Sequence, residues 1–433
     1  MIGLSDWNAL PMGGAVWFWV LLLIAFVWLR RHADLNRGQR DHALTADDAR
    51  RAPGFRPKVT MIVAGKEEEA NIAQCVQGML GQDYPGLQVI AVNDRSVDRT
   101  GAILDEMAAR SPRLEAVHIR HLPEGWFGKN NAMRAGLERA TGEWFCFTDA
   151  DCKFDSRSLV SAAVGYAGEN NIDFLSVLPK LEAETFWERV VQPVAGGILI
   201  FWNPPQKVNS PNCKQAYANG AFMLMSRRAY DALGGHDAVK ATLNEDMHMA
   251  RRAKQLGIRL HVMRNADMYR CRMYTGFRQI WRGWSRIFYG SFGTLPRLII
   301  SFLFLAIFSV SPYVALLTAG FVGSWGDWLA IAGAAAVASQ QSILWRYYDF
   351  SGIPGRWALT YPLGAVLCLG MICNAMLRVG GATRTVWRGT TYVGGSQTTQ
   401  GSAVPSAPAN VAAAKSSASD GMTVETPSKQ PAA

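Results

Sequence analysis

The alternation of strand-like and helix-like segments over residues 58–149 is the feature that most restricts how this chain can fold. Apolar runs of strand-like composition recur there, separated by stretches whose apolar residues repeat at helical spacing. The predicted strands are KVTMIVAG (58–65), LQVIAVND (87–94), LEAVHIRHL (114–122) and EWFCFTD (143–149), and the predicted helices cover residues 68–82, 100–110 and 129–140. Repeated βα units of this length predict an α/β domain with a parallel sheet and helices on both faces.

Acidic side chains follow the second and fourth predicted strands. Asp94 and Asp149 stand at the carboxyl ends of these strands, and Asp151 follows two positions later. In open parallel sheets, ligands bind beyond the carboxyl ends of the strands. Neighbouring carboxylates repel each other unless a cation or a hydrogen-bonding ligand joins them, and oxygen-rich acid pairs suit Mg²⁺ or Mn²⁺. Asp149 and Asp151 therefore predict a divalent-cation site. The alternative is a solvent-exposed acidic turn, which would have the same sequence.

Four apolar stretches predict membrane segments. Residues 15–29 contain no charge and precede Arg30, Arg31 and His32, which reverses the charge order of a cleaved signal peptide. We therefore expect an uncleaved anchor whose carboxyl end lies in the cytosol. Three further spans are predicted at 298–322, 328–344 and 357–377. These features predict a multi-pass protein of the inner (cytoplasmic) membrane with its α/β domain in the cytosol.

Composition narrows the classes of partner. A net charge of +10 suits a protein that lies against anionic lipid or handles phosphate. Nucleic acid is the weaker interpretation, because no helix-turn-helix, zinc finger or aromatic RNA-binding signature occurs. Seven cysteines without CxxC spacing indicate free thiols in a reducing compartment. Cys152 stands beside the acid pair, but no His or Cys partner at ligand spacing supports a soft-metal site there.

Several motifs carry a resemblance to a known family. They are VTMIVAGKEEEANI, VIAVNDRSVDRT, GKNNAMRAGL, FTDADC, NGAFMLMSRRAYDALGGHD and NEDMHMARRAKQLG. In order and spacing they resemble family 2 glycosyltransferases over residues 57 to about 292. The resemblance implies an inverting enzyme with a GT-A (Rossmann-like, mostly parallel) fold. The membrane segments and TVWRGTTY near residue 390 are similar to membrane-bound members that glycosylate lipids, including the carotenoid- and hopanoid-associated groups.

The family pattern, carried over residue by residue, implies roles for four acids. Asp94 would contact the nucleotide base, and Asp149 the ribose or the donor sugar. Asp151 would hold the metal on the diphosphate, and Asp246 in NEDM would be the general base. The chain departs from the pattern at Asn93, where many relatives have another Asp. It also departs at Gly65-Lys66-Glu67 and in QIWRGW, where Gly283 separates Arg282 from Trp284.

The reaction itself explains why these residue types are needed, independently of the family resemblance. One base must deprotonate the acceptor hydroxyl, and cations must neutralise the leaving diphosphate. Asp246 precedes a helical run, so an ordinary helix cap is the alternative to catalysis. Lys129 stands at a loop-to-helix junction where phosphate or the nucleoside can bind, and a plain helix-start lysine is the alternative.

Residues 274–292 predict an amphipathic helix. Phe277, Ile280, Trp281, Trp284, Ile287 and Phe288 share one side, opposite a stripe of Arg278, Gln279, Arg282 and Arg286. Such a helix before a membrane span is expected to lie in the lipid interface. Its arginines would meet lipid phosphates, or Arg282 and with it Arg286 would turn toward the donor diphosphate. The acceptor-site candidates are Gln279, Trp284, His236 and Glu245.

These expectations combine into one organisation and one function. The predicted parts are an anchor (1–32), a cytosolic linker (33–56), a GT-A domain (57–273), an interfacial helix (274–292), about three spans (296–378), a membrane-proximal segment (379–395) and a disordered tail (396–433). We expect transfer of a sugar from a UDP- or GDP-sugar to a lipid, with Mg²⁺ or Mn²⁺. A processive polysaccharide synthase or an inactive scaffold is the alternative, whereas a nucleotidyltransferase would leave the NED acid unexplained.

Overall fold

The computed structural model describes residues 10–379 and the backbone of three short strands, Thr385–Trp387, Thr390–Val393 and Ser396–Gln397. Apart from these strands, the predicted membrane-proximal segment and tail lie outside the described residues. Within the described part, one α/β domain packs directly on a group of long apolar helices.

A seven-stranded sheet forms the centre of the α/β domain. Its strands are β1 (Val59–Gly65), β2 (Gln88–Asp94), β3 (Leu114–Ile119), β4 (Trp144–Asp149), β6 (Phe174–Leu178), β8 (Phe222–Ser226) and β9 (Leu260–Arg264). Their order is β3-β2-β1-β4-β8-β6-β9. Strands β1 to β4 are mutually parallel, β8 runs antiparallel to both of its neighbours, and β9 is parallel to β6. The predicted mostly parallel α/β sheet is therefore confirmed.

The strands of the main sheet are continuously apolar because the sheet is buried on both faces. Met61 and Val63 of β1 belong to one core cluster, and Ile62 between them belongs to the other. Helices cover these faces: α2 (Ile72–Leu80), α3 (Thr100–Arg110), α4 (Gly128–Leu137), α5 (Leu159–Asn170), α7 (Pro205–Asn209), α8 (Arg227–Ala232) and α9 (Glu245–Gln255).

A second, smaller sheet lies next to the acid pair. It consists of β5 (Cys152–Phe154), β7 (Lys180–Leu181) and β10 (Tyr269–Cys271), in the order β5-β10-β7. Strand β5 follows directly after Asp151. Its antiparallel pairing with β10 places Cys271 opposite Cys152.

The predicted linker is an ordered, docked segment. Helix α1 (Leu10–Arg40) continues through its first residues, and a 3-10 turn follows at Ala46–Arg50. Leu44 makes a parallel bridge to Asn265 beside β9. The 3-10 turn packs so closely on α5 that a Cβ at Gly165 would overlap the backbone oxygen of Asp48. The α/β domain therefore has a fixed attachment to the end of α1.

Among the described residues, three helical stretches are long and apolar enough to cross a membrane: Gly13–Arg40, Leu295–Phe321 and Gly355–Val379. They correspond to α1, to α11 (Leu295–Leu305) with α12 (Ser311–Thr318), and to α14 (Tyr361–Val379). Helix α13 (Gly326–Phe350) contains the predicted span 328–344 but is not among these three stretches.

Helix α13 nevertheless lies along α1 and runs in the same direction. Trp325 packs on Gly14 near the start of both helices, and Ser342 hydrogen-bonds His32 near their ends. Leu21 and Ile24 of α1 share a core cluster with Leu329 of α13. The pairing places α13 at the same depth as α1.

The predicted interfacial helix, α10 (Phe277–Phe292), differs from expectation in what covers it. Its apolar residues Ile280, Trp284 and Phe288 are buried in a cluster with α14 and α6 (Phe186–Trp202). Protein therefore covers the apolar face that was predicted to meet lipid. Helix α6, which the sequence reasoning missed, starts at a Thr185–Glu188 capping box.

Candidate active site

Two of the predicted acids end neighbouring strands at one edge of the main sheet. Asp94 is the last residue of β2, and Asp149 is the last residue of β4. Strand β1 lies between them, with Ala64 in register with both Val92 and Asp149. The parallel-sheet argument from the sequence therefore places both acids at the same edge.

Lys129, in the first turn of α4, joins acids from two distant segments. Its Nζ lies 2.6 Å from Asp149 Oδ1 and 2.7 Å from Glu245 Oε1. Burial disfavours the charged amine, yet attraction from Asp149, Glu245 and Asp246 raises the pKa of Lys129 well above its usual value. The structure thus brings the start of α9 to the end of β4.

Asp246 lies at this junction with both carboxylate oxygens oriented by backbone donors. Oδ2 accepts a hydrogen bond from Gly220 N at 3.0 Å, and Oδ1 accepts one from Met247 N at 2.7 Å. Burial, followed by repulsion from Glu245, raises the pKa of Asp246 to about 7. The N-cap residue of α9 is Asn244, so Asp246 lies in the first turn and is not the cap itself.

Asp151 belongs to the same charged region. Burial, followed by repulsion from Asp149, raises the pKa of Asp151 to about 7, and the charge of Glu68 adds to this rise. Its Oδ1 accepts a weak hydrogen bond from Cys271 Sγ at 3.3 Å. A cation between Asp149 and Asp151 would relieve the repulsion, and their oxygens are the donors that Mg²⁺ and Mn²⁺ prefer. The residues present therefore fit the metal that the family resemblance implies.

Asp94, which was predicted to contact the nucleotide base, is buried, and both of its carboxylate oxygens accept hydrogen bonds from Arg95. Arg95 donates to it twice, from Nε at 2.7 Å and from Nη2 at 3.0 Å. Gly128 gives this pair room, since a Cβ there would lie 2.6 Å from Asp94 Oδ2. Asn93, where the sequence departs from the family, hydrogen-bonds His118 and Ser96 and so supports the strand end.

Three predicted acceptor-site residues have other contacts in the structure. His236 is fully buried, its Nδ1 bonded to Tyr230 Oη at 2.8 Å, and burial lowers its pKa to about 3. Trp284 is buried in the α6–α10–α14 cluster. Gln279 is exposed and accepts from the backbone of Thr275 at 3.0 Å. His236 and Trp284 are thus buried away from solvent, Glu245 pairs with Lys129, and the acceptor assignments of these residues stay predictions.

Arg286, rather than Arg282, lies on the site side of α10. Burial raises the pKa of Tyr274, and the nearby Arg286 opposes this rise. The negative charge of Asp151 also raises the pKa of Tyr274, so Tyr274 lies between α10 and the acids. Arg282 is exposed. Gly283 explains the departure in QIWRGW, because a Cβ there would overlap the Tyr274 ring. The sequence places Tyr274 at the start of the predicted helix but gives no signal that its ring packs on Gly283, so this contact was missed.

Two family models match the chain. The model of glycosyl transferase family 2 matches residues 60–234, and that of glycosyl transferase family group 2 matches residues 206–371. The first contains Asp94, Asp149 and Asp151, and the second contains Asp246. Together they include the whole edge of the sheet described above.

Curated relatives match a shorter part. The beta-monoglucosyldiacylglycerol synthase of Synechocystis is 32% identical over 210 residues, which cover 48% of this chain and 40% of that protein. The probable glycosyltransferase YdaM of Bacillus subtilis is 32% identical over 146 residues, covering 32% of this chain and 34% of that protein. The chain thus spans less than half the length of these relatives.

Among solved structures, the mannosyltransferase PcManGT from Pyrobaculum calidifontis, in complex with GDP-Man and Mn²⁺, superposes with a TM-score of 0.47 at 20% identity. The superposition covers 83% of this chain and 98% of that one.

Proposed function

The chain belongs to glycosyltransferase family 2, whose model matches residues 60–234, with family group 2 matching residues 206–371. From this premise we propose that the chain transfers a sugar from a nucleotide-sugar donor to a lipid acceptor, with inversion. One observation carries the proposal. Asp149, Lys129 and Asp246 come from three separate segments and meet at one edge of the sheet, with Asp151 beside them. A fold kept only as a scaffold has no need of this costly cluster of partly buried charges.

The donor side consists of acids and cations around the diphosphate. Asp149 and Asp151 would hold a divalent cation, Mg²⁺ or Mn²⁺. When bound, that cation supplies charge neutralisation for the departing nucleoside diphosphate. Lys129 adds fixed positive charge beside Asp149, and Arg286, close to Tyr274, would add a second cation. Asp94 with Arg95 lies farther along the edge, where the nucleotide base would bind.

Asp246 is the general base in this proposal. Its carboxylate takes the proton of the acceptor hydroxyl while the hydroxyl oxygen bonds to the anomeric carbon. The bond from that carbon to the diphosphate breaks on the opposite face, and the configuration inverts. A pKa of about 7 suits a base at neutral pH. The hydrogen bonds from Gly220 and Met247 orient the carboxylate.

Several features favour a lipid acceptor. Asn244, two residues before Asp246, donates to Ser291 Oγ of α10 at 3.3 Å, and Gly290 packs against Asn244. The base is therefore adjacent to the helices that join the domain to the apolar bundle. A relative at 32% identity is named a glucosyldiacylglycerol synthase. We propose that the acceptor is a membrane lipid that reaches Asp246 along α10, with the α/β domain on the cytosolic side.

The test uses purified full-length protein with UDP-glucose or GDP-mannose and a membrane lipid extract, and mass spectrometry of the products. Asp246→Asn should lower transfer by about 10²–10⁴-fold. Binding of the nucleoside diphosphate with Mn²⁺ should stay within about twofold by calorimetry. Asp231→Asn, at an exposed acid of α8, is the matched control. Substantial transfer by Asp246→Asn would remove it as the base.

The length of the product separates the two leading functions. A single added sugar supports a lipid glycosyltransferase, and a ladder of products supports the processive synthase.

A further inference from the structure

A second group of ligand-forming side chains lies directly behind the acid pair. Antiparallel pairing of β5 with β10 sets Cys271 opposite Cys152, and Asp151 precedes Cys152. Cys271 Sγ is 3.3 Å from Asp151 Oδ1, and one donor atom from each of the three residues lies within 4.8 Å of the other two. The three residues, Asp151, Cys152 and Cys271, are called the thiol–carboxylate group below.

These distances suit a metal ion of the tetrahedral class. Zn²⁺ binds thiolates at about 2.3 Å and carboxylate oxygens at about 2.0–2.2 Å, which separates tetrahedral ligands by about 3.5–3.8 Å. The thiol–carboxylate group already has one pair near this spacing. Its donor type differs from that of the diphosphate site, because two soft thiolates select Zn²⁺ or Cd²⁺ over Mg²⁺.

Of the three residues in the group, Asp151 is the one in contact with solvent. Cys152 and Cys271 are buried, with 1% and 3% of their surfaces exposed, whereas Asp151 is partly exposed. An incoming ion therefore meets the carboxylate first and the thiols behind it. Water at the exposed side of Asp151 can complete a fourth position.

We propose that Asp151, Cys152 and Cys271 form a binding site for a thiophilic divalent cation such as Zn²⁺, sharing Asp151 with the site of Mg²⁺ or Mn²⁺. An ion held there occupies the carboxylate that the donor diphosphate's cation needs. Thiophilic cations thus inhibit transfer. The site itself does not depend on the proposed function, while the inhibition rests on it.

Co²⁺ is a direct probe, because thiolate ligands give it a charge-transfer band in the near ultraviolet. Full-length protein in detergent, with excess Mg²⁺, should bind one equivalent of Co²⁺ with this band, and Zn²⁺ should abolish the band. Loss of an outer-shell partner costs about 10–100-fold in metal affinity, so loss of a direct ligand in Cys152→Ser or Cys271→Ser should cost at least about 100-fold. Cys146→Ser, at a buried thiol of β4 outside the group, should bind like the unaltered protein.

A second measurement needs no substitution. Zn²⁺ should slow alkylation of Cys152 and Cys271 in the unaltered protein, as quantified by peptide mass spectrometry, and leave Cys213 unchanged. The proposed site is wrong if Co²⁺ gives no thiolate band, if the band survives in both serine variants, or if Zn²⁺ protects Cys213 equally.

Transfer assays test the shared carboxylate. At fixed Mg²⁺, Zn²⁺ should inhibit the unaltered enzyme reversibly and inhibit Cys271→Ser at least about tenfold less strongly. Zn²⁺ binding with no inhibition would overturn the sharing of Asp151. Because the spectroscopic binding needs no sugar donor, an absence of any transfer would count against the proposed function alone.

Discussion

Lys129 is the side chain that ties the candidate site together at the scale of single residues. Its amine pairs with Asp149 from β4 and with Glu245 from α9, and its charge lowers the cost of keeping these acids ionised. The loop-to-helix position predicted a cation near phosphate. The sequence did not predict the two acids that pair with Lys129, because only the tertiary structure brings them next to it.

Lys129→Met tests this role. The change leaves Glu245, whose side chain is only 5% exposed, without its cation. A buried group that loses its partner costs about 1–3 kcal/mol, so the free energy of unfolding should fall by about that amount. Binding of the nucleoside diphosphate should weaken as well. Thermal unfolding and calorimetry measure the two effects, with Lys240→Met at an exposed lysine as control; equal stability of the two variants would contradict the ion-pair role.

The pKa of Asp246 predicts how transfer depends on pH. Because burial and Glu245 raise that pKa to about 7, the carboxyl is protonated below neutrality and cannot accept a proton. Transfer should therefore rise with pH through about 7 and level off above it. A profile of kcat/KM against pH checks this. Asp151 also has a pKa of about 7 and could produce the same rise. The profile is therefore measured at saturating Mn²⁺. Mn²⁺ should shift a rise that is due to Asp151 to a different pH, whereas a rise that is due to Asp246 should keep its midpoint.

At the scale of secondary-structure elements, α10 connects the long apolar helices to the candidate site. Its apolar face packs on α6 and α14, and Arg286 lies on the side of Tyr274 and Asp151. Gly283 allows this arrangement, because the Tyr274 ring occupies the space that a Cβ would need. The amphipathic pattern predicted the helix and its two faces but not the protein that covers the apolar one.

Gly283→Ala should displace Tyr274. Overpacking typically costs about 1–3 kcal/mol, and the neighbouring Arg286 should shift with the ring. We expect reduced stability together with reduced transfer. Gly276→Ala, where nothing lies within 4 Å of the added Cβ, is the matched control at the start of the same helix. Thermal unfolding and transfer rates of both variants provide the check, and unchanged behaviour of Gly283→Ala would be inconsistent with this packing.

At the scale of the whole molecule, α1 and α13 connect the α/β domain to the apolar bundle. Arg346 of α13 hydrogen-bonds His32 and Asn36 near the end of α1. The docked segment after α1 then joins the α/β domain through Leu44 and the 3-10 turn. The basic end of the helix pair and the α/β domain therefore share one side, and the positive-inside tendency supports our proposal that this side is cytosolic.

Cysteine labelling tests this orientation in a background carrying Cys213→Ser and Cys373→Ser. Gly54→Cys, in the docked segment, should react with an impermeant reagent only after the inner membrane is opened. Gly320→Cys, between α12 and α13, should react with the same impermeant reagent while the inner membrane is still intact. Both positions have open space around an added side chain. The reverse pattern would place the α/β domain outside.

Much of the α/β domain followed from the sequence by itself, because its signals are local. Burial on both faces makes β1 and β4 continuously apolar, and the parallel arrangement of their strands places Asp94 and Asp149 at one edge. Those acids were therefore predictable together, although their roles remain predictions. The motif order likewise predicted the family that the two models confirm.

Contacts between distant segments were decided only by the tertiary structure. The pairing of Lys129 with Glu245 and the approach of Cys271 to Cys152 depend on how strands and helices far apart in the chain are placed against each other. The apolar pattern of a helix states that a face is buried and leaves open whether lipid or protein buries it, as with Trp284. Local sequence cannot encode such contacts, because each partner's position is set by the rest of the fold.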